Sequence, residues 1–222
     1  MDFDENKFFR EATLRICGNL EIDKALQSGL KYIRDYIPAD FMGFVIYLPE
    51  EMAFESIAIA SLTESDTIPV KIPAEVRDRE KLETRFNEPR ITVFNDIQST
   101  FQGRSFSNEF NWPHGPCIII EMVLSGKRMG ALIIINEQNI AYTEEHSRRL
   151  ALLNEPLGIA LTNGIRYRTT NHLKNLLVDD KRYLQSELSK LTEHEVIGAE
   201  EGLMTVMKSV WQVAPMNSPV LL

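Results

Sequence analysis

Apolar residues recur at three- and four-residue steps through Ile22, Leu26, Leu30, Ile33 and Ile37, with Gly29 beside Leu30. That period predicts an amphipathic helix, the second of two within residues 1 to about 37. Pro38 closes it, because a proline disfavours helical backbone in the residue before it. Between Pro38 and Pro49 the run 41–48 is aromatic and branched, and too short for a helix, so it predicts a strand. Residues 53–62 predict another, with Phe54, Ser56, Ala58 and Ala60 expected on one face and Glu55, Ile57 and Ile59 on the other. A polar stretch follows, with a short helix expected near 74–86 and a strand over 91–94 that ends at Asn95-Asp96. Residues 98–115, rich in Ser, Asn, Gly and Phe, read as a long loop of the kind that often carries function.

Two strong strands come next, 116–125 and 129–136, joined by the tight-turn signal Ser125-Gly-Lys-Arg. Thr143 is placed to cap a helix whose first turn holds Glu144 and Glu145. Leu150, Leu153, Leu157 and Leu161 carry an apolar stripe onward. Pro156 falls inside it and would cost about 3 kcal/mol in a straight helix, so a kink or break is expected there. Past residue 168, Leu177, Leu184 and Leu191 stand at seven-residue steps, with Leu173 and Leu188 in neighbouring seam positions. This predicts a helix that pairs with another, the simpler alternative being an amphipathic helix lying on its own domain. Val196-Ile197-Gly198 then leads into a helical stripe of Leu203, Val206, Met207, Val210 and Val213, a loop over 214–219, and apolar Val220-Leu221-Leu222. One helix and one strand cannot bury their own apolar faces, so this tail reads as the opening of another domain. The expected division is 1–168, 169–193 and 194–222, in the α+β class.

Hydrophobic residues make up 44% of the 222 positions and charged residues 25%, the composition of a folded domain. The net charge of −8 disfavours direct nucleic-acid binding, which draws its affinity from phosphate neutralisation, and docking on an anionic membrane. No apolar run reaches the roughly 18 residues of a membrane span, and the acidic start is unlike a secretory signal. Cys17 and Cys117 match no metal or redox spacing and suit a cytoplasmic protein.

Alternation along the strand 117–124 puts Cys117, Ile119, Glu121 and Val123 on one face and the wholly apolar Ile118, Ile120, Met122 and Leu124 on the other. The apolar face should pack on helices. The other carries a thiol and a carboxylate, and an ionisable group on such a strand needs a partner or a cavity. Trp112 and His114 lie just upstream. Together with Asp96 these residues, Trp112, His114, Cys117 and Glu121, are the candidates for binding a small-molecule effector of unknown identity. The competing reading has Trp112 in the core, His114 in solvent and Cys117 as a structural thiol. No metal site is expected. Nor is catalysis, since Cys117 and His114 should point to opposite faces and lack an orienting third group.

The order helix, strands, excursion, Ile91-Thr-Val-Phe-Asn-Asp96, a hairpin with Gly130, then Asn136 and Tyr142-Thr-Glu-Glu145 resembles a GAF sensory domain over roughly 5–168. Val196-Ile197-Gly198, Val210-Trp-Gln-Val213-Ala214-Pro215 and Ser218-Pro-Val-Leu-Leu222 resemble the entry to the AAA+ ATPase domain of sigma-54-dependent transcriptional activators. The resemblance implies a regulatory domain controlling a downstream ATPase through a helical linker, and a homodimer through the terminal helices. It carries Val196, Ile197 and Gly198 over as nucleotide contacts of the complete protein. The phosphate-binding loop that would hold ATP and magnesium is not among these residues, so no hydrolysis is expected of this chain. Sigma-54 RNA polymerase would be met only through regions beyond it, and a DNA-binding domain would also lie there. The alternative reading is a ligand-free GAF module for protein interaction. Cyclic nucleotide is not supported, because Glu137 follows Asn136 and His146-Ser147 stand where that class of GAF domain carries an acid pair.

Overall fold

The computed structural model describes residues 3–75, 82, 88–192 and 201–215. The helix expected near 74–86 falls largely outside these residues, as do Val196, Ile197, Gly198 and 216–222. The chain divides into two compact units, Met1–Thr170 and Asn171–Leu222. The first is an antiparallel sheet with helices, in the α+β class.

Helix α1 (Glu5–Cys17) starts where the Asp4 carboxylate accepts the Lys7 amide hydrogen bond, and α2 (Ile22–Ile33) follows. Strands β1 (Phe41–Leu48), β2 (Ala53–Ser61), β3 (Ser65–Asp66), β4 (Lys71–Pro73) and β5 (Arg90–Phe94) come next. After a 3-10 turn at Ile97–Ser99, helix α3 covers Phe101–Phe110. The hairpin of β6 (Cys117–Leu124) and β7 (Lys127–Ile135) precedes α4 (Glu144–Ala151) and the long α5 (Asn154–Thr192). In the second unit α6 spans Met204–Val213. The sheet order is β3-β2-β1-β7-β6-β5, with β4 also paired to β2. Ser125 and Gly126 both take positive φ, the two-residue turn that twists with its strands and fixes the β6–β7 register.

The central strands β1, β6 and β7 bury both faces. On one, Met42, Phe44, Ile118, Ile120, Met122, Leu132 and Ile134 pack with α1, α2, α4 and the start of α5. On the other, Val45, Cys117, Ala131, Ile133 and Ile135 meet Ile97, Phe106 and Trp112.

Two expectations change. The stretch 98–115 contains α3, stabilised by the Thr100 side chain, which accepts from Gly103 N at 3.0 Å, and by burial of Phe106. In β2 a bulge at Ile57 breaks the alternation. Ile57, Ala58 and Ala60 therefore join the helix-side core, while Phe54 sides with Ile59 on the opposite face. The helical stripe through Leu150, Leu153, Leu157 and Leu161 is buried as its period predicts, and the expected break falls just before Pro156, between α4 and α5. Pro156 sits in the first turn of α5, where a missing backbone N–H leaves no hydrogen bond unmade. Asn154 exploits the junction. Its amide accepts from Val123 N at 3.0 Å and donates to Val123 O at 2.8 Å, satisfying both backbone groups of the β6 residue that lies across from the bulge at Met129 of β7.

Candidate functional site

A cavity of about 250 Å³ lies between the sheet and the segment from the 3-10 turn to α3. Val45, Phe54, Phe94, Ile119 and Ile133 form its apolar floor, and Ile97, Thr100, Gln102, Gly103 and Phe106 its far wall. Gly103 lets α3 seat tightly on this turn, since a Cβ there would fall 1.9 Å from the Ile97 carbonyl oxygen. Cys117 and Glu121 line the cavity, as two of the β6 residues whose side chains alternate toward it.

The five candidates do not form one cluster. Trp112 is buried beside Phe106 and Phe110, over Gly43. A Cβ on Gly43 would come within 2.6 Å of the indole, so that glycine gives β1 room for the ring. His114 is exposed; its Nε2 meets the Gln98 amide at 3.1 Å, and its Nδ1 lies 4.0 Å from Asp96. The Asp96 carboxylate accepts from Gln98 N at 2.9 Å and caps the 3-10 turn. Cys117 is fully buried, and burial, followed by the nearby Asp96 charge, pushes its thiol up to about 12. At neutral pH it stays protonated, so it offers neither a nucleophile nor a ready metal ligand. Among the described residues no three of His, Cys, Asp and Glu gather as a metal site.

The polar end of the cavity is built on three adjacent strands. Arg128 on β7 pairs with Glu121 on β6, each side chain only 20% exposed, and also donates to the Leu82 carbonyl at 2.6 Å. Arg90 on β5 stands directly across from Glu121 in the register and lines the same space, as does Thr92. Sequence reasoning found Glu121 but not Arg90, Thr92 or Arg128. Arg128 was within its reach: a two-residue turn at Ser125-Gly126 pairs Val123 with Arg128 and places the arginine on the Glu121 face. Arg90 was not, because the β5–β6 pairing spans a long connection whose register no local signal sets.

This architecture is the GAF fold. The GAF domain of a phosphoenolpyruvate-protein phosphotransferase from Coxiella burnetii superposes with a TM-score of 0.52 over 74% of this chain and 96% of its own, at 14% identity. A phycoerythrobilin-bound GAF domain from a cyanobacterial phytochrome gives 0.51 over 76% of this chain and all of its own, at 12% identity. No protein-family model matches the chain. In sequence it is homologous to a transcriptional activator: the formate hydrogenlyase transcriptional activator of Salmonella typhimurium is 25% identical over 218 residues, 95% of this chain. The alignment covers 31% of that relative, so the chain spans about a third of its length. No helix among the described residues is long and apolar enough to cross a membrane.

Proposed function

We propose that this chain is the sensory GAF module of a bacterial sigma-54-dependent transcriptional activator, with a small effector held in the cavity biasing helices that lead to a downstream AAA+ ATPase. The observation that carries the reading is the two-sided sheet. On β6, cavity-lining Cys117, Ile119 and Glu121 alternate with Ile118, Ile120 and Met122, which pack in the same core as Leu153, just before α5, and Leu157 and Leu161 on α5. Asn154 adds a hydrogen-bonded tie from α5 to β6. A ligand that bound two arrangements of this sheet unequally would shift α5 with it, and only by that difference in affinity. The length of the activator relative supports placing the ATPase, the sigma-54 contact and DNA binding in the rest of the protein. Nucleotide hydrolysis would belong there too, with this module controlling it. In that arrangement α5 pairs with its counterpart in a second copy, and the module acts as a cytoplasmic dimer.

The runner-up, a ligand-free interaction module, is favoured by one observation: Trp112 and Phe106 fill much of the face that a larger ligand would occupy. Native mass spectrometry of the chain purified from its own host separates the two. A stoichiometric small molecule is the expected result; protein recovered empty, with no ligand in host extract that raises its melting temperature, would leave the interaction module as the better account.

A further inference from the structure

A groove of about 670 Å³ lies between the β2–β3 hairpin and the C-terminal end of α3, and it shares no lining residue with the cavity over β6. Phe41, Ile59, Ile68, Phe110 and Trp112 give it an apolar lining, with Ile68 left 48% exposed. Both walls are held in place. The Asp23 carboxylate on α2 accepts from Ser65 Oγ at 2.9 Å, and Gln27 donates to the Ser61 carbonyl at 3.2 Å, which ties the hairpin to the helix. At the other wall Trp112 N donates to Ser107 O at 2.9 Å, and the Phe110 and Trp112 rings lie 5.5 Å apart. The groove is thus preformed, and a partner meets it without first having to order it. Its charged lining is Glu64, Asp66 and Glu109 against one lysine, Lys24. Lys24 is engaged, 3.5 Å from the Asp23 carboxylate and 3.3 Å from Ser65 Oγ, and among the described residues no cation pairs with the other three acids. We infer that the groove docks a short basic amphipathic segment of a partner protein, its apolar side chains over Ile68, Phe110 and Trp112 and its lysines or arginines against Glu64, Asp66 and Glu109.

Charge and size select this occupant. Three unpaired carboxylates around an apolar lining attract a cationic segment and repel an acidic one. A second copy of this chain is a poor match, since each copy carries a net charge of −8. A wholly apolar partner would strip water from the carboxylates and give them nothing in return. At about 30 Å³ for each water, the space corresponds to roughly twenty waters, enough for several side chains of a continuous segment. Exposed ion pairs are each worth little, so apolar contact supplies most of the affinity and the acids set the sign of the partner.

The inference holds whether or not the cavity over β6 is occupied, and its test leaves that cavity untouched. A fluorescein-labelled peptide in which lysines flank leucines and a phenylalanine would be titrated with the whole chain and followed by anisotropy. Two further peptides accompany it, one with glutamate for each lysine and one with serine for each apolar residue. The first is expected to bind at micromolar concentration, more weakly as salt rises, and the other two to fail. The double variant E64Q/E109Q should weaken binding about three- to tenfold, the worth of two exposed ion pairs. Ile68→Ser should weaken it about fivefold or more, through lost apolar burial. The control E50Q/E137Q removes as much charge elsewhere and should leave binding unchanged. All five side chains are exposed, so the variants keep the fold. Equal weakening by E50Q/E137Q would assign the attraction to net charge and overturn the groove as its site. The glutamate or serine peptide binding as tightly as the first would overturn the partner class. No binding of the lysine peptide at about 100 μM chain would overturn the proposal outright. A dimer lost on Ile68→Ser would make the occupant a second copy and overturn it too. The sensory reading falls separately, on an empty protein in the mass spectrum.

Discussion

His146 shows how much a single side chain can hold in an otherwise ordinary helix start. It occupies the third position of a reciprocal cap: Thr143 Oγ1 accepts from His146 N, and His146 Nδ1 accepts from Thr143 N at 3.2 Å. Acceptance requires an unprotonated Nδ1. Burial first, then the Arg149 charge, lowers the His146 pKa against the smaller opposing pull of Glu145. A histidine whose folded pKa lies below its unfolded value of about 6.5 contributes stability that is full above that value and is lost as pH falls through the folded one. His146→Gln keeps an acceptor suited to this position and removes the titration. The stability of the natural chain relative to H146Q, from urea melts, should therefore fall by about 0.5–1 kcal/mol between roughly pH 7.5 and pH 5. A constant difference across that range would contradict the assignment. The sequence disclosed Thr143 as a cap but not His146 as its partner, because glutamate or glutamine is the usual residue there and histidine acts only in its neutral form.

Among elements, legibility follows whether the deciding interaction is local. The β6–β7 hairpin and the stripe of α4 and α5 were readable because period and turn chemistry set them within a few residues. Helix α3 was not. Its Ser, Asn and Gly lower intrinsic helix propensity, and its anchors are the Thr100 cap and the packing of Phe106 against Trp112. The phase of β2 was hidden for a similar reason: the bulge at Ile57 is imposed by pairing with β1, and a strand read alone keeps strict alternation. The candidate site inherits this division. Cys117 and Glu121 share a face by simple alternation, whereas the order of strands decides that Arg90 joins Glu121 and that Trp112 is packed away. The junction of α4 and α5 offers a direct test of what non-local contacts contribute. Asn154→Ala strips both Val123 backbone groups of their partner, at a cost of about 1–3 kcal/mol. The expected fall in melting temperature is about 2–4 °C for each kcal/mol in a domain of this size. An unchanged melt would mean that solvent replaces the amide there and that the tie from α5 to the sheet is slack.

At the scale of the whole molecule, the contrast between the two ends of α5 bears on assembly. Leu157 and Leu161 are fully buried, whereas Leu173, Leu177, Leu184 and Leu188 further along are each more than half exposed. A single chain that leaves a leucine row in water along one helix forgoes roughly 1.5–3 kcal/mol for each side chain it could bury. Leu177 and Leu184 occupy the same position of successive heptads, Leu188 follows in the alternate seam position, and Lys174 and Lys181 hold that alternate position upstream. Lysines in a seam lower its strength and limit the number of strands, which favours a modest two-helix pairing over a larger bundle. Light scattering of the chain at tens of micromolar should give twice the monomer mass. Leu184→Glu, which sets a charge in the seam, should return it to monomer. The melting of the Met1–Thr170 unit should be unaffected, because the substituted residue belongs to the other compact unit. A natural chain that stays monomeric, or an L184E chain that remains dimeric, would remove the helix as the coupling device and return the leucine row to some other partner.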